Sequence, residues 1–187
     1  TQTNAMVEYV DIVPTILDSA GIKVPAIMDG RSFLNVLNGK EKKHKEFAYS
    51  LQTTVGVNGV EQPYGIRSVV DERFRYILNL FPENEFSIPS SRRLREEVNG
   101  LGNKEKEFSK RYLQRPREEL FDIIKDPYCQ NNLAREMEHK KILQLLAAKL
   151  DDWMVSQNDQ GRTTELQAES RQCEWRQKQI LLRDRKN

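Results

Sequence analysis

The sequence predicts an α+β arrangement. A small antiparallel sheet of about four strands is covered by one long C-terminal helix, and a short helix with an uncovered apolar face precedes both. Three observations carry this expectation. Val57-Asn58-Gly59-Val60 is a strong two-residue hairpin signal, because both central residues tolerate positive φ, and it lies between runs rich in β-branched and aromatic residues. Ile142, Leu145, Leu146, Leu150 and Trp153 recur at helical spacing within 138–157. The opening stretch, Asp11 to Ile22, reads as a short helix whose apolar face has nothing to cover it in the polar residues before Met6.

Taken in order, Asp11 is the expected N-cap, its carboxylate accepting from the N–H of Val13. Pro14 falls in the first turn, where no helical N–H is lost. Ile12, Ile16, Leu17 and Ala20 share one face, and Gly21 is placed as the left-handed residue that ends the helix. The runs 47–53, 64–70 and 73–80 read as strands, with Asp71-Glu72 turning the chain between the second and third. Between Phe81 and Pro116, charges of both signs alternate. There, Ser90 or Ser91 caps one expected helix that stops at Gly100, and Asn103 caps another. A fourth strand, 118–124, ends at Asp126-Pro127 and leads to the long helix of 138–157. Beyond Gly161, the arginines and lysines at 171, 176, 178, 183, 185 and 186 mark a basic extension.

Composition bounds the function classes. Thirty basic residues against 28 acidic ones in a chain of 187 leave a formal charge of +2, so no global bias toward nucleic acid exists. No apolar run approaches the roughly 20 residues of a membrane span, and no signal peptide is visible. Cys129 and Cys173 make no disulfide framework and leave the compartment open.

The run Val7-Glu8-Tyr9-Val10-Asp11-Ile12-Val13-Pro14-Thr15, then Gly21, then Asp29-Gly30-Arg31-Ser32, resembles the late catalytic-domain segment of sulfatases. The strand pair 66–69 and 73–77 fits in the same order. So do Arg115-Pro116, Glu118-Glu119-Leu120-Phe121-Asp122, Asp126-Pro127 and Asn132-Leu133-Ala134, which resemble the C-terminal subdomain. Within the family the chain is most similar to bacterial heparan N-sulfatase-like (sulfamidase-like) enzymes, departing at Cys129, where they usually carry a glutamate.

The resemblance implies three parts. Residues 1–45 would end an α/β, alkaline-phosphatase-like catalytic domain, 46–160 would form the C-terminal sulfatase subdomain, and 161–187 would be the basic extension. It also implies hydrolysis of sulfate esters or sulfamates of glycosaminoglycan-type saccharides by a longer parent in the periplasm or outside the cell. In that family a formylglycine made from a Cys/Ser-x-Pro-x-Arg motif attacks sulfur beside a calcium ion. Neither the nucleophile nor the metal ligands are visible here, so the expected partners are the parent's own N-terminal catalytic domain and a sulfated saccharide. The nearest decoy, 87-SIPSSR-92, has its arginine one place late and reads as a loop entering a helix.

Candidate binding residues cluster at the hairpin. Gln52, Thr53 and Thr54 offer neutral groups for sugar hydroxyls, and Tyr64 offers a ring face. Arg67 either pairs with Asp71 or Glu72 or forks onto a sulfate or uronate. His44 and His139 read as solvated, Asp151-Asp152 as carboxylates pointing apart, and Trp153 as a core anchor. Two other classes remain open at this level. One is a non-enzymatic polyanion-binding module; the other is the back half of another alkaline-phosphatase-superfamily hydrolase acting on phosphonates or phosphodiesters.

Overall fold

The computed structural model of the chain describes residues 2–53, 62–86, 102–168 and 170–171. The hairpin tip with Asn58-Gly59, Thr54, the stretch 87–101 with its expected helix and decoy, and the basic residues beyond Arg171 lie outside them.

A 3-10 turn, Tyr9–Asp11, leads into α1 (Ile12–Ser19), and α2 (Leu34–Leu37) follows. Strands β1 (Ala48–Gln52), β2 (Ile66–Val70) and β3 (Phe74–Asn79) come next. Helix α3 (Asn103–Leu113) separates them from β4 (Glu118–Asp122), and α4 (Lys140–Ser156) and α5 (Arg162–Leu166) close the described chain. The four strands form one antiparallel sheet in chain order, β1-β2-β3-β4.

Register decides which residues meet. Tyr49 stands opposite Val69, Val69 opposite Tyr76, and Tyr76 opposite Leu120, so these four share one face by the two-residue period of a strand. Helix α4 lays Leu146, Leu150 and Met154 on that face. Trp153 stacks on Tyr49 at 5.1 Å, as expected of a core anchor. The sheet's other face carries Ile66, Ile77 and Phe121 beneath Tyr64 and Phe86.

The stripe on α4 differs from expectation at one place. Leu145 is 48% exposed, and Met154 is buried instead. Leu146, Leu150 and Met154 are each four residues apart and define the contact line, from which a residue at 145 is rotated by roughly 100°.

Helix α1 keeps its stop signal but not its start. Gly21 has φ +70, its N–H donates to Asp18 O, and the N–H of Ile22 donates to Leu17 O, which together close the helix end. Asp11, however, is itself helical and makes no capping bond to α1. Its carboxylate is drawn elsewhere, as described below. The buried residues of α1 are Pro14 and Thr15, whereas Ile12, Val13 and Ile16 remain exposed. Gly30 holds the following loop against the helix start, since a Cβ there would lie 1.9 Å from Val10 O. Helix α3 begins at Asn103 with Gly102 in the cap position, rather than being capped by Asn103.

Side chains also serve the outer strands. Glu8 Oε1 accepts from the N–H of Tyr49 at 2.7 Å. Asn132 Oδ1 accepts from Leu120 N–H at 2.9 Å, and its Nδ2 donates to Glu118 O at 3.2 Å.

Candidate functional site

The hairpin residues separate by strand parity. Arg67 lies two residues before Val69 and so projects toward the α4 side of the sheet, near the end of that helix. It is 2% exposed. Its Nε donates to Asp159 Oδ2 at 2.5 Å, its Nη1 donates to Ile66 O at 3.0 Å and Gln52 O at 3.3 Å, and its Nη2 lies 3.7 Å from Glu165 Oε2. The expected local partners Asp71 and Glu72 are not the ones used. Asp71 instead accepts from the N–H groups of Arg73 and Phe74, and Glu72 pairs with Lys43 at 2.6 Å.

Tyr64 also departs from expectation. Its ring is fully buried, edge-on to Phe86 at 5.2 Å, and burial pushes its phenol up to about 12. Neither the expected sugar-facing ring nor the expected sulfate-facing guanidinium is open to a ligand in this structure. The physical reason is that both side chains are consumed in closing the sheet's far end. Thr53 is half-buried and donates to Glu165 Oε1 at 2.7 Å. Gln52 is exposed at the end of β1. The residues sequence reasoning missed are Asp159 and Glu165. The signal available was two carboxylates set on either side of Gly161-Arg162, just after the long helix.

A second polar centre forms where the opening segment meets the sheet. Asp11 is fully buried. Its carboxylate accepts from the N–H groups of Glu8 and Arg31, at 2.9 and 3.0 Å, and from Lys45 Nζ at 2.9 Å. Lys45 also bonds Glu8, so one ammonium bridges two carboxylates. His44, expected to be solvated, has a side chain only 4% exposed, 3.2 Å from Asp11 and edge-on to Phe33. His139 is also less solvated than expected, resting near Phe74 and Glu136.

Burial pushes the Asp11 carboxyl up, but the bonds from Lys45, Arg31 and Glu8 outweigh it and hold the group below the usual aspartate value. A carboxyl depressed on folding stabilises fully above its unfolded value of about 3.9, and that stabilisation is lost as pH falls through the folded value. Acid unfolding monitored by circular dichroism should therefore show stability declining below about pH 4. Asp11→Asn should flatten that decline. An identical slope in both proteins would remove Asp11 from the account.

Open clefts lie away from the hairpin. One of about 920 Å³ is lined by Arg31, Lys43, Lys45 and Arg73, whose charges are taken up by Glu8, Asp11, Glu72, Asp122 and a backbone carbonyl. Another of about 540 Å³ lies between Pro82–Glu85 and Gln114–Pro116. Among the described residues no group of three His, Cys, Asp or Glu side chains is arranged to hold a metal ion. The described residues thus do not fit the calcium implied by the sulfatase resemblance, and none is assigned to it. Among the same residues, no helix is long and apolar enough to cross a membrane.

Comparison with known proteins decides the family. Residues 1–107 match the family "N-sulphoglucosamine sulphohydrolase, C-terminal". The chain belongs to this sulfatase family. Among its relatives, an ulvan-active sulfatase of Formosa agariphila is 31% identical over 160 residues, covering 84% of this chain and 30% of that protein. A Δ4,5-hexuronate-2-O-sulfatase of Bacteroides thetaiotaomicron is 28% identical over 171 residues, covering 86% of this chain and 26% of that protein. The solved structure of a 2-O GAG sulfatase superposes with a TM-score of 0.56 at 26% identity, covering 82% of this chain and 26% of that one. The chain thus spans less than a third of the relatives it matches. The structural neighbours are alkaline-phosphatase-like sulfatases, and this chain supplies helices and a small four-stranded antiparallel sheet to that fold.

Proposed function

We propose that the chain is the C-terminal part of a sulfatase cleaving sulfate esters or sulfamates of sulfated, glycosaminoglycan-type saccharides. Residues 1–45 close the catalytic domain, 46–160 form the subdomain, and the formylglycine nucleophile and calcium ligands reside on the N-terminal catalytic domain. The observation that carries this reading is the uncovered apolar face around α1. Tyr9 is 91% exposed, Ile16 59%, Val13 52% and Val10 50%. Exposed apolar side chains concentrated on one short segment fit a large packed neighbour, and they fall within the residues that match the family.

Relatives named for ulvan and for a hexuronate 2-O-sulfate support a sulfated saccharide as substrate. Within the chain, the end of β1 is the substrate-facing element. Gln52 and Thr53 present neutral hydrogen-bonding groups to sugar hydroxyls, while Tyr64 and Arg67 hold the base of the hairpin from inside. Loops and strand ends set on a rigid sheet are where binding groups concentrate.

The purified 187-residue chain should show no turnover of an aryl sulfate, with or without calcium. Turnover abolished by Ser87→Ala would mean that the 87–92 decoy is a real nucleophile and would overturn the reading. Joined behind the N-terminal portion of a related sulfatase, in place of that enzyme's own C-terminal part, the chain should support calcium-dependent turnover. A chimera that folds yet cleaves no sulfated saccharide would count equally against it.

A further inference from the structure

The chain beyond α4 makes a compact return to the sheet. Asn158, at φ +53, and Gly161, at φ +61, turn the backbone after the helix. The N–H of Asp159 donates to Met154 O, and the Asp159 carboxylate accepts from Gly161 N–H at 2.9 Å. The short helix α5 then seats Glu165 in the interior at 1% exposure. Arg162 anchors the same turn, donating to Leu80 O at 3.1 Å and lying 4.2 Å over the ring of Phe81.

Glu165 meets both ends of the β1–β2 connection. On the β1 side it accepts from Thr53. On the β2 side it lies against Gly65, where an added Cβ would come within 2.8 Å of the Glu165 carboxyl and 2.9 Å of Leu80. Arg67 joins the two sides, bonding Gln52 O and Asp159 while facing Glu165. A single carboxylate, contributed about a hundred residues later in sequence, thus touches the residue after β1, the residue before β2 and the arginine at the second position of β2.

We infer that residues 158–166 are a strap that fixes the end of β1 and the start of β2, with Glu165 as a positioning residue for the hydrogen-bonding groups of Gln52 and Thr53. The inference rests on the sulfatase reading for what those groups bind, and on geometry alone for the strap. The physical logic is preorganisation. Binding groups at a strand end lose affinity when the binding event must also order them, and buried contacts behind them remove that cost. Gly65 follows from the same arrangement, since a larger residue would push Glu165 off the strand end.

Hydrogen–deuterium exchange on the 187-residue chain tests the strap without any activity. Glu165→Ala should raise exchange of the amides at 52–53 and 62–67 by roughly tenfold while α4, β3 and β4 keep their protection, because local opening is separable from global unfolding. Glu165→Gln retains an acceptor for Thr53 and should restore part of the protection. Unchanged exchange at 52–53 and 62–67, or an equal rise throughout the chain, would overturn the strap. In a catalytically competent chimera, Glu165→Ala should raise KM for a sulfated saccharide several-fold more than for a small aryl sulfate, with Glu165→Gln intermediate. An intact strap effect with no change in saccharide KM would overturn the substrate-facing role of β1 and leave the strap standing.

Discussion

Replacing Arg67 with alanine is expected to destabilise the fold by about 3–5 kcal/mol. The guanidinium and its partner carboxylates at 159 and 165 are all at most 7% exposed. Removing the cation takes away the charge that Arg67 sets against two buried carboxylates, which is far more costly than losing an exposed pair. Equilibrium denaturation in urea measures it, and the midpoint should fall with little change in slope. Lys43→Ala is the comparison, since that ammonium bonds Glu72 in full solvent and its loss should leave the midpoint unchanged within error. If the two variants matched, Arg67 would not be a desolvated anchor, and a reach toward substrate anions would regain its standing.

Leu146→Ala should cost roughly 2–5 kcal/mol, because a fully buried side chain at the centre of the α4–sheet contact leaves a cavity that its neighbours fill only in part. Leu145→Ala should change stability by only about 0.5 kcal/mol, as expected of a surface site. The pair discriminates sharply between registers of α4 on the sheet. Equal losses at both positions would require a helix rotated by most of a residue step from the orientation described.

These two variants also show what was readable from the residues. The four strands and the existence of α4 follow from β-branched and aromatic runs, turn signals and period-3.6 patterning, which are local information. Leu145 falls off the contact line because five apolar residues can be joined by more than one stripe, and only the partner surface selects the line through Leu146, Leu150 and Met154. For Arg67 the sequence suggests local partners, because Asp71 and Glu72 are close by. Its actual partner stands ninety-two positions away, and no spacing rule reaches that far. Asp11 failed as a cap for the opposite reason. Its type and position suit capping, but the Lys45 ammonium and the Arg31 N–H offered its carboxylate a stronger site. The candidate substrate groups therefore divide, with Gln52 and Thr53 kept at the strand end and Tyr64 and Arg67 moved into the scaffold.

The side chains of Glu8 and Asn132 have a consequence for self-association. A sheet ordered β1-β2-β3-β4 has two strands with only one neighbour each, and their outward amides and carbonyls are templates for pairing with another molecule. At Tyr49 that outward amide is already occupied by a carboxylate. At β4 the amide of Asn132 stands in for a fifth strand's peptide group, accepting from Leu120 and donating to Glu118, and the N–H of Leu133 takes the Leu120 carbonyl. An incoming strand would have to displace these bonds before making its own. The sheet is thereby terminated from within the same chain at both margins, which disfavours the edge-to-edge stacking that leads small sheets toward fibres.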